Sequence, residues 1–160
     1  MKCAITAGLT ALVLTACAEA DAPSTANLAP ESVILKQSQT ASDSAGWGTF
    51  YPYFTDDTHV LSPVLVGVAK IDAGQQIHHP HRHADEEYLM VTRGRGTWSL
   101  NGEQSPAEEG DILFARAWDY HGIAADRGEP LEFVVFKYGG RSIPAPIDPN
   151  PELPEERPVQ

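Results

Sequence analysis

From Val60 onward the chain alternates between short apolar runs and turn residues, and this rhythm predicts β-strands rather than helices. The run from Val60 to Ile71 contains Val64-Leu-Val-Gly-Val-Ala-Lys-Ile71, with Pro63 near its start. Glu87-Tyr-Leu-Met-Val-Thr92 is a second run, followed by Gly94 and Gly96. Thr97-Trp-Ser-Leu100 meets Asn101-Gly102, a strong short-range hairpin signal. Asp111 to Ala115, His121 to Ala124 and Leu131 to Tyr138 are further strand candidates. No segment of this region carries a long helical period. Short strands with frequent Gly and Pro turns predict an all-β sandwich or barrel.

Both ends of the chain depart from this pattern. Lys2 is the only charge before Cys17, and Ile5 to Leu14 form an apolar stretch shorter than the ~20 residues a membrane-spanning helix needs. That arrangement reads as an export signal. The segment Leu14-Thr15-Ala16-Cys17 resembles the lipobox of bacterial lipoproteins. The resemblance implies cleavage before Cys17, lipidation of its thiol and acylation of its new amino group. Several acyl chains give stable anchoring where one gives only marginal binding. Ala18 after the cysteine resembles the outer-membrane sorting pattern of Gram-negative lipoproteins, which implies the periplasmic face of that membrane. Residues 1–16 are thus expected to be a signal peptide. Residues 17–32, rich in Ala, Ser, Thr and Pro, read as a flexible tether. Residues 33–142 are expected to form the barrel domain, with its core in 60–138. The final segment 143–160 holds six prolines in 18 positions. It cannot enter a sheet interior, because each proline removes a ladder donor, and it is expected to run extended over the surface.

Composition narrows the function classes. At 160 residues the chain has room for one ordinary domain, and 42% hydrophobic residues can supply its core. A formal net charge of −11, with no clustered basic surface in the sequence, argues against a nucleic-acid partner. The two cysteines are Cys3 and Cys17. Loss of the first with the signal peptide and lipidation of the second leaves no thiol for a disulfide, a metal site or a nucleophile.

The candidate chemistry lies in His78-His-Pro-His-Arg-His83, which holds four of the six histidines. On a strand, His81 and His83 would share one face, about 6.6 Å apart at Cα, with Arg82 pointing the other way. That spacing lets two neutral imidazoles converge on one ion. Glu87 follows at the mouth of an apolar strand, where a carboxylate carries a desolvation cost unless a cation pairs it.

These residues resemble the first motif of the cupin family: glycine, a spacer, His-x-His, three or four residues, Glu, six residues and Gly. The fit is complete from His81 through Gly94, and Gly74 is one residue out of register. Gly110 to His121 resembles the second motif, with Gly110 and His121 matching. Arg116 stands where the motif has proline, and Trp118 where it has glycine. The resemblance covers Val60 to about Tyr138. It implies a single-domain cupin β-barrel in which His81, His83, Glu87 and His121 point inward to one divalent transition metal. Three imidazoles and a carboxylate suit Fe, Mn, Ni, Cu or Zn, with one or two coordination positions open.

Other residues are weaker candidates. Arg116 is expected either at the barrel mouth, holding a substrate carboxylate, or on the solvated rim. Trp98, Trp118, Tyr88, Phe114 and Phe136 read as barrel core or as the lining of an apolar pocket. Tyr120 is a candidate proton donor by adjacency to His121. His78 and His79 read as loop residues or as neighbours that support the ligands, His59 as surface, and Arg93 and Arg95 as exposed. Three functions stay open: a metal-dependent enzyme on a small molecule, with dioxygenase-like chemistry leading; a binding module for a ligand or metal; and an envelope protein stabilised by its metal. A non-redox lyase or isomerase is the alternative chemistry for the first. A homodimer is a further implication of the family resemblance.

Overall fold

Strands built from the apolar runs line up into two antiparallel sheets in the computed structural model, which describes residues 31–158. The strands are β1 (Asp43–Ala45), β2 (Gly48–Phe54), β3 (Leu61–Ile71), β4 (Glu86–Arg93), β5 (Arg95–Leu100), β6 (Glu103–Glu108), β7 (Ile112–Ala115), β8 (His121–Ala125) and β9 (Leu131–Gly140). The larger sheet has the order β1-β2-β3-β9-β4-β7 and the smaller one β6-β5-β8. A 3₁₀ turn at Gln37–Gln39 is the only helical element among the described residues. No helix there is long and apolar enough to cross a membrane. Cys17 and the expected signal peptide lie outside the described residues, as does most of the expected tether.

Alternation along each strand sets which side chains meet between the sheets. On β4, Glu87, Leu89 and Val91 are buried while Tyr88 and Met90 face out. On β9, Leu131, Phe133 and Val135 are buried and the residues between them are not. These meet Ala69 and Ile71 of β3 and, from the smaller sheet, Trp98, Ala107, Ile123 and Ala125. Two turns depend on backbone freedom. Asn101 and Gly102 both take positive φ (52° and 90°), the requirement of a two-residue hairpin turn between β5 and β6. Gly94 has φ 81°, and a Cβ there would lie 2.1 Å from the carbonyl oxygen of Pro130.

Three expectations change. The sheets begin well before residue 60, because β2 pairs along β3 from Gly48↔Ile71 to Phe54↔Val66. Pro52 obscured this strand. It is tolerated because β1 ends opposite Phe50, which leaves that edge open beyond it. Tyr88, Phe114 and Phe136 lie outside the core and outside the cavity beside His81 and Glu87. They form an aromatic row on the outer face of the larger sheet, where Tyr88 stacks on Phe114 at 4.7 Å and lies opposite Phe136. Of the five aromatics, Trp98 alone is in the core. The proline-rich tail does more than cover surface, since Glu156 forms an isolated bridge with His81.

Candidate metal centre

His81, His83, Glu87 and His121 converge although they come from three parts of the chain. His121 opens β8, and its backbone exchanges two hydrogen bonds with His81 (3.0 and 2.9 Å). Glu87 is the second residue of β4 and points inward by the alternation of that strand. The loop between them carries His83, whose carbonyl accepts a hydrogen bond from the Trp118 backbone N–H (2.7 Å). One ligand atom from each of the four residues lies within 4.8 Å of the others. Two ligands on opposite sides of an ion with ~2.1 Å bonds stand about 4.2 Å apart, so the cluster is close to the size one ion requires. His121 and Glu87 are buried, and His81 and His83 are partly exposed.

The hydrogen bonds behind the cluster decide what its front presents. Nδ1 of His83 lies 3.0 Å from the Asp85 carbonyl, and Nδ1 of His121 lies 2.9 Å from the Asp119 carbonyl. A carbonyl only accepts, so each Nδ1 carries the proton, and each neutral ring turns an Nε2 lone pair forward. Those Nε2 atoms face Glu87, at 3.2 Å to Oε2 and 3.4 Å to Oε1. Lone pairs aimed at a carboxylate are repulsive unless a proton or a metal ion lies between them. Nε2 of His121 and Nδ1 of His81 are buried with no hydrogen-bond partner. Orphaned buried nitrogens are costly, and a metal would satisfy them. The donor set therefore fits a divalent transition metal.

Electrostatics point the same way. Burial pushes the His81 imidazole down to about 3, helped by the neighbouring His78 and His121, so it stands neutral and ready to ligate at neutral pH. Burial would raise Glu87. Hydrogen bonds and positive charge from the His121 and His83 imidazoles, each with a proton on Nε2 in place of a metal, outweigh it and hold the carboxyl well below the usual carboxylate range.

The cupin domain family model matches residues 67–137, which run from β3 through β9 and include all four ligands. This stretch of the chain is a cupin domain. Its barrel is similar to an RmlC-like cupin from Shewanella frigidimarina, at 16% identity and a TM-score of 0.56, covering 68% of this chain and 91% of that one. It is also similar to a protein with a double-stranded β-helix domain from Klebsiella pneumoniae (25% identity, TM-score 0.54, 71% and 95% covered). A predicted oxalate decarboxylase from Thermotoga maritima has the same fold (17% identity, TM-score 0.55, 66% and 98% covered). No curated protein matches the chain.

Within this cupin barrel two of the four candidate ligands, His81 and Glu87, line a cavity of about 360 Å³. His78 also lines it, with its ring 4.1 Å from that of His81. His79 turns away to Gln76, and His59, Arg93 and Arg95 are exposed. The β1–β2 hairpin supplies part of the wall, through Asp43, Trp47 and Phe50.

Arg116, Trp118 and Tyr120 stand elsewhere. They line a groove of about 550 Å³ under the C-terminal tail, not the cavity beside the ligands. Arg116 is exposed and paired with Asp119 (3.0 Å). The Tyr120 hydroxyl donates to the Pro154 carbonyl, and Trp118 Nε1 donates to that of Pro146 (2.8 Å). Between the two ligand histidines, Arg82 does point the other way. It is buried in this groove, paired with Asp148 and set over the rings of Trp118 and Tyr120 (5.2 and 5.7 Å). The tail thus grips the back of the histidine loop.

Proposed function

We propose that this cupin barrel is a metal-dependent enzyme acting on a small molecule held in the cavity beside His81 and Glu87, with dioxygenase-like oxidation as the leading chemistry. One observation carries the reading: ligand atoms of three imidazoles and a carboxylate converge within 4.8 Å, and two of these residues, His81 and Glu87, line a cavity large enough for a small ligand. A divalent transition metal bound there would supply Lewis-acid or one-electron redox chemistry. The chain's own contribution is to fix the tautomers of His83 and His121 through Asp85 and Asp119, and to exclude water with the apolar wall of the cavity. Glu87 is placed to hold or pass a proton at its carboxylate oxygens.

The test is elemental analysis of the purified protein together with O₂ consumption on a panel of phenols and diketones. The expected result is about one transition metal per chain and turnover that is lost in folded His121→Ala. Metal binding without O₂ uptake would move the reading to a non-redox lyase or isomerase. Tight retention of a ligand without product would favour a binding module instead. Absence of metal after reconstitution overturns the enzyme.

The same reading places the protein in the cell envelope as a lipoprotein anchored through Cys17, supported by the lipobox-like Leu14-Thr-Ala-Cys17. Self-association as a homodimer would have a surface available in the outer sheet face, where Met90, Ile112, Phe114 and Phe136 are exposed.

A further inference from the structure

The inward face of β9 runs Leu131, Phe133, Val135 and then Lys137. The first three belong to the core, and Lys137 reaches the cavity that His81 and Glu87 line. It stands directly opposite Glu87 of β4 on one side and Leu65 of β3 on the other. Glu87 would be its natural partner, but the Glu87 oxygens are turned to His83 and His121. Among the described residues, no carboxylate oxygen lies within ion-pair distance of Lys137 Nζ. A half-buried ammonium without a partner carries a desolvation cost that an incoming anion would offset.

Apart from Asp43 at the exposed edge and the His78 imidazole, the rest of the wall is apolar: Trp47, Phe50, Leu65, Ile77, Phe133 and Val135. Local charge also favours an anion. A divalent ion with Glu87 as its one anionic ligand would leave one positive charge, Lys137 adds a second, and Asp43 at the exposed edge offsets one, so the metal-loaded cavity keeps a positive charge in a chain whose net charge is −11. We propose that Lys137 is the anion anchor of this cavity. The substrate class it selects is a small organic carboxylate with an aromatic or branched apolar body. The carboxylate pairs with Nζ and the body packs against Phe50, Leu65 and Phe133. The role as a substrate site rests on the enzyme reading above; the anion site itself does not.

Binding of 3-phenylpropionate and of its neutral amide, measured by titration calorimetry on zinc-loaded and on metal-free protein, tests this without turnover. In both forms the carboxylate should bind roughly tenfold or more tighter than the amide. Lys137→Met should remove that preference and leave amide binding unchanged, and Lys137→Arg should keep most of it. Equal binding of the two probes by the wild type overturns the proposal, as does no binding of either. Full carboxylate affinity in Lys137→Met also overturns it. The wild-type comparison stands even where a variant folds poorly. Failure to take up zinc would remove the enzyme reading, while the metal-free titration still decides the role of Lys137.

Discussion

Nε2 of His83 stands 3.2 Å from Oε2 of Glu87, and in the neutral ring both atoms are acceptors. The pair is at ease only with a cation between, either a proton on the ring or a metal shared by both. Protons and metal therefore compete for one place. Metal removal should lower thermal stability, and reconstitution should restore it. A metal held at a hundred times its Kd adds about 2.7 kcal/mol. Differential scanning calorimetry of chelated and reconstituted protein checks this. The difference should vanish in His121→Ala, because that variant deletes a ligand.

The metal-free protein should lose stability as pH falls from about 6.5 toward 3. His81 has its ordinary value of 6.5 when unfolded and about 3 when folded. Between those values the unfolded chain binds more protons, so stability rises with pH across the window and is fully present above it. Glu87 adds in the same direction, because its folded value is also depressed and its contribution is lost as pH falls below the ordinary carboxylate range. Urea midpoints at pH 7.5 and 4.5 measure the slope. His81→Phe should flatten it in the upper part of the window, where Glu87 stays ionised in both states.

Asp148→Asn should weaken both the fold and the metal site. Arg82 is buried to 3% exposure, and its charge is met by Asp148 and by the carbonyl of Asn150 (3.3 Å). Removing one partner of a buried ion pair costs about 3 kcal/mol. Arg82 sits between His81 and His83, so its movement shifts two ligands, and residues that orient ligands change metal affinity by about tenfold or more. Competition against a chelator reads the affinity, and chemical denaturation reads the stability. A loss of stability with metal affinity unchanged would show that the tail supports only the fold.

The ligand set was legible because spacing carries geometry. His81 and His83 share a side, Glu87 follows on an inward position of β4, and His121 opens the strand bridged to His81. The cavity wall was less legible. Trp47 and Phe50 belong to a segment interrupted by Pro52, and the open edge that tolerates that proline appears only when β1 and β2 are paired. The aromatic row shows a different limit. Tyr88, Phe114 and Phe136 have the composition of a core, yet strand parity turns them outward. Parity also places Lys137 inward, two residues after Val135, which reading for apolar runs alone passes over. The grip of the tail on Arg82 joins residues 66 positions apart and leaves no local signal.

Trp118 carries the last prediction. It stands where the cupin pattern has glycine, and its φ is 68°, in the left-handed region that glycine enters freely and a bulky side chain rarely does. The conformation is held because the Trp118 N–H bonds the carbonyl of His83 and its indole reaches Pro146 and Arg82. The side chain thus exchanges backbone ease for a grip on the tail. Trp118→Ala keeps the strain and loses the grip, so it should destabilise the protein. Trp118→Gly loses the same contacts but relieves the strain, so it should be more stable than the alanine variant by about 1 kcal/mol. Denaturation midpoints of the two variants measure the difference directly. Equal stability would mean that the backbone relaxes once the indole is gone, and that the tail, not the turn, imposes the positive φ.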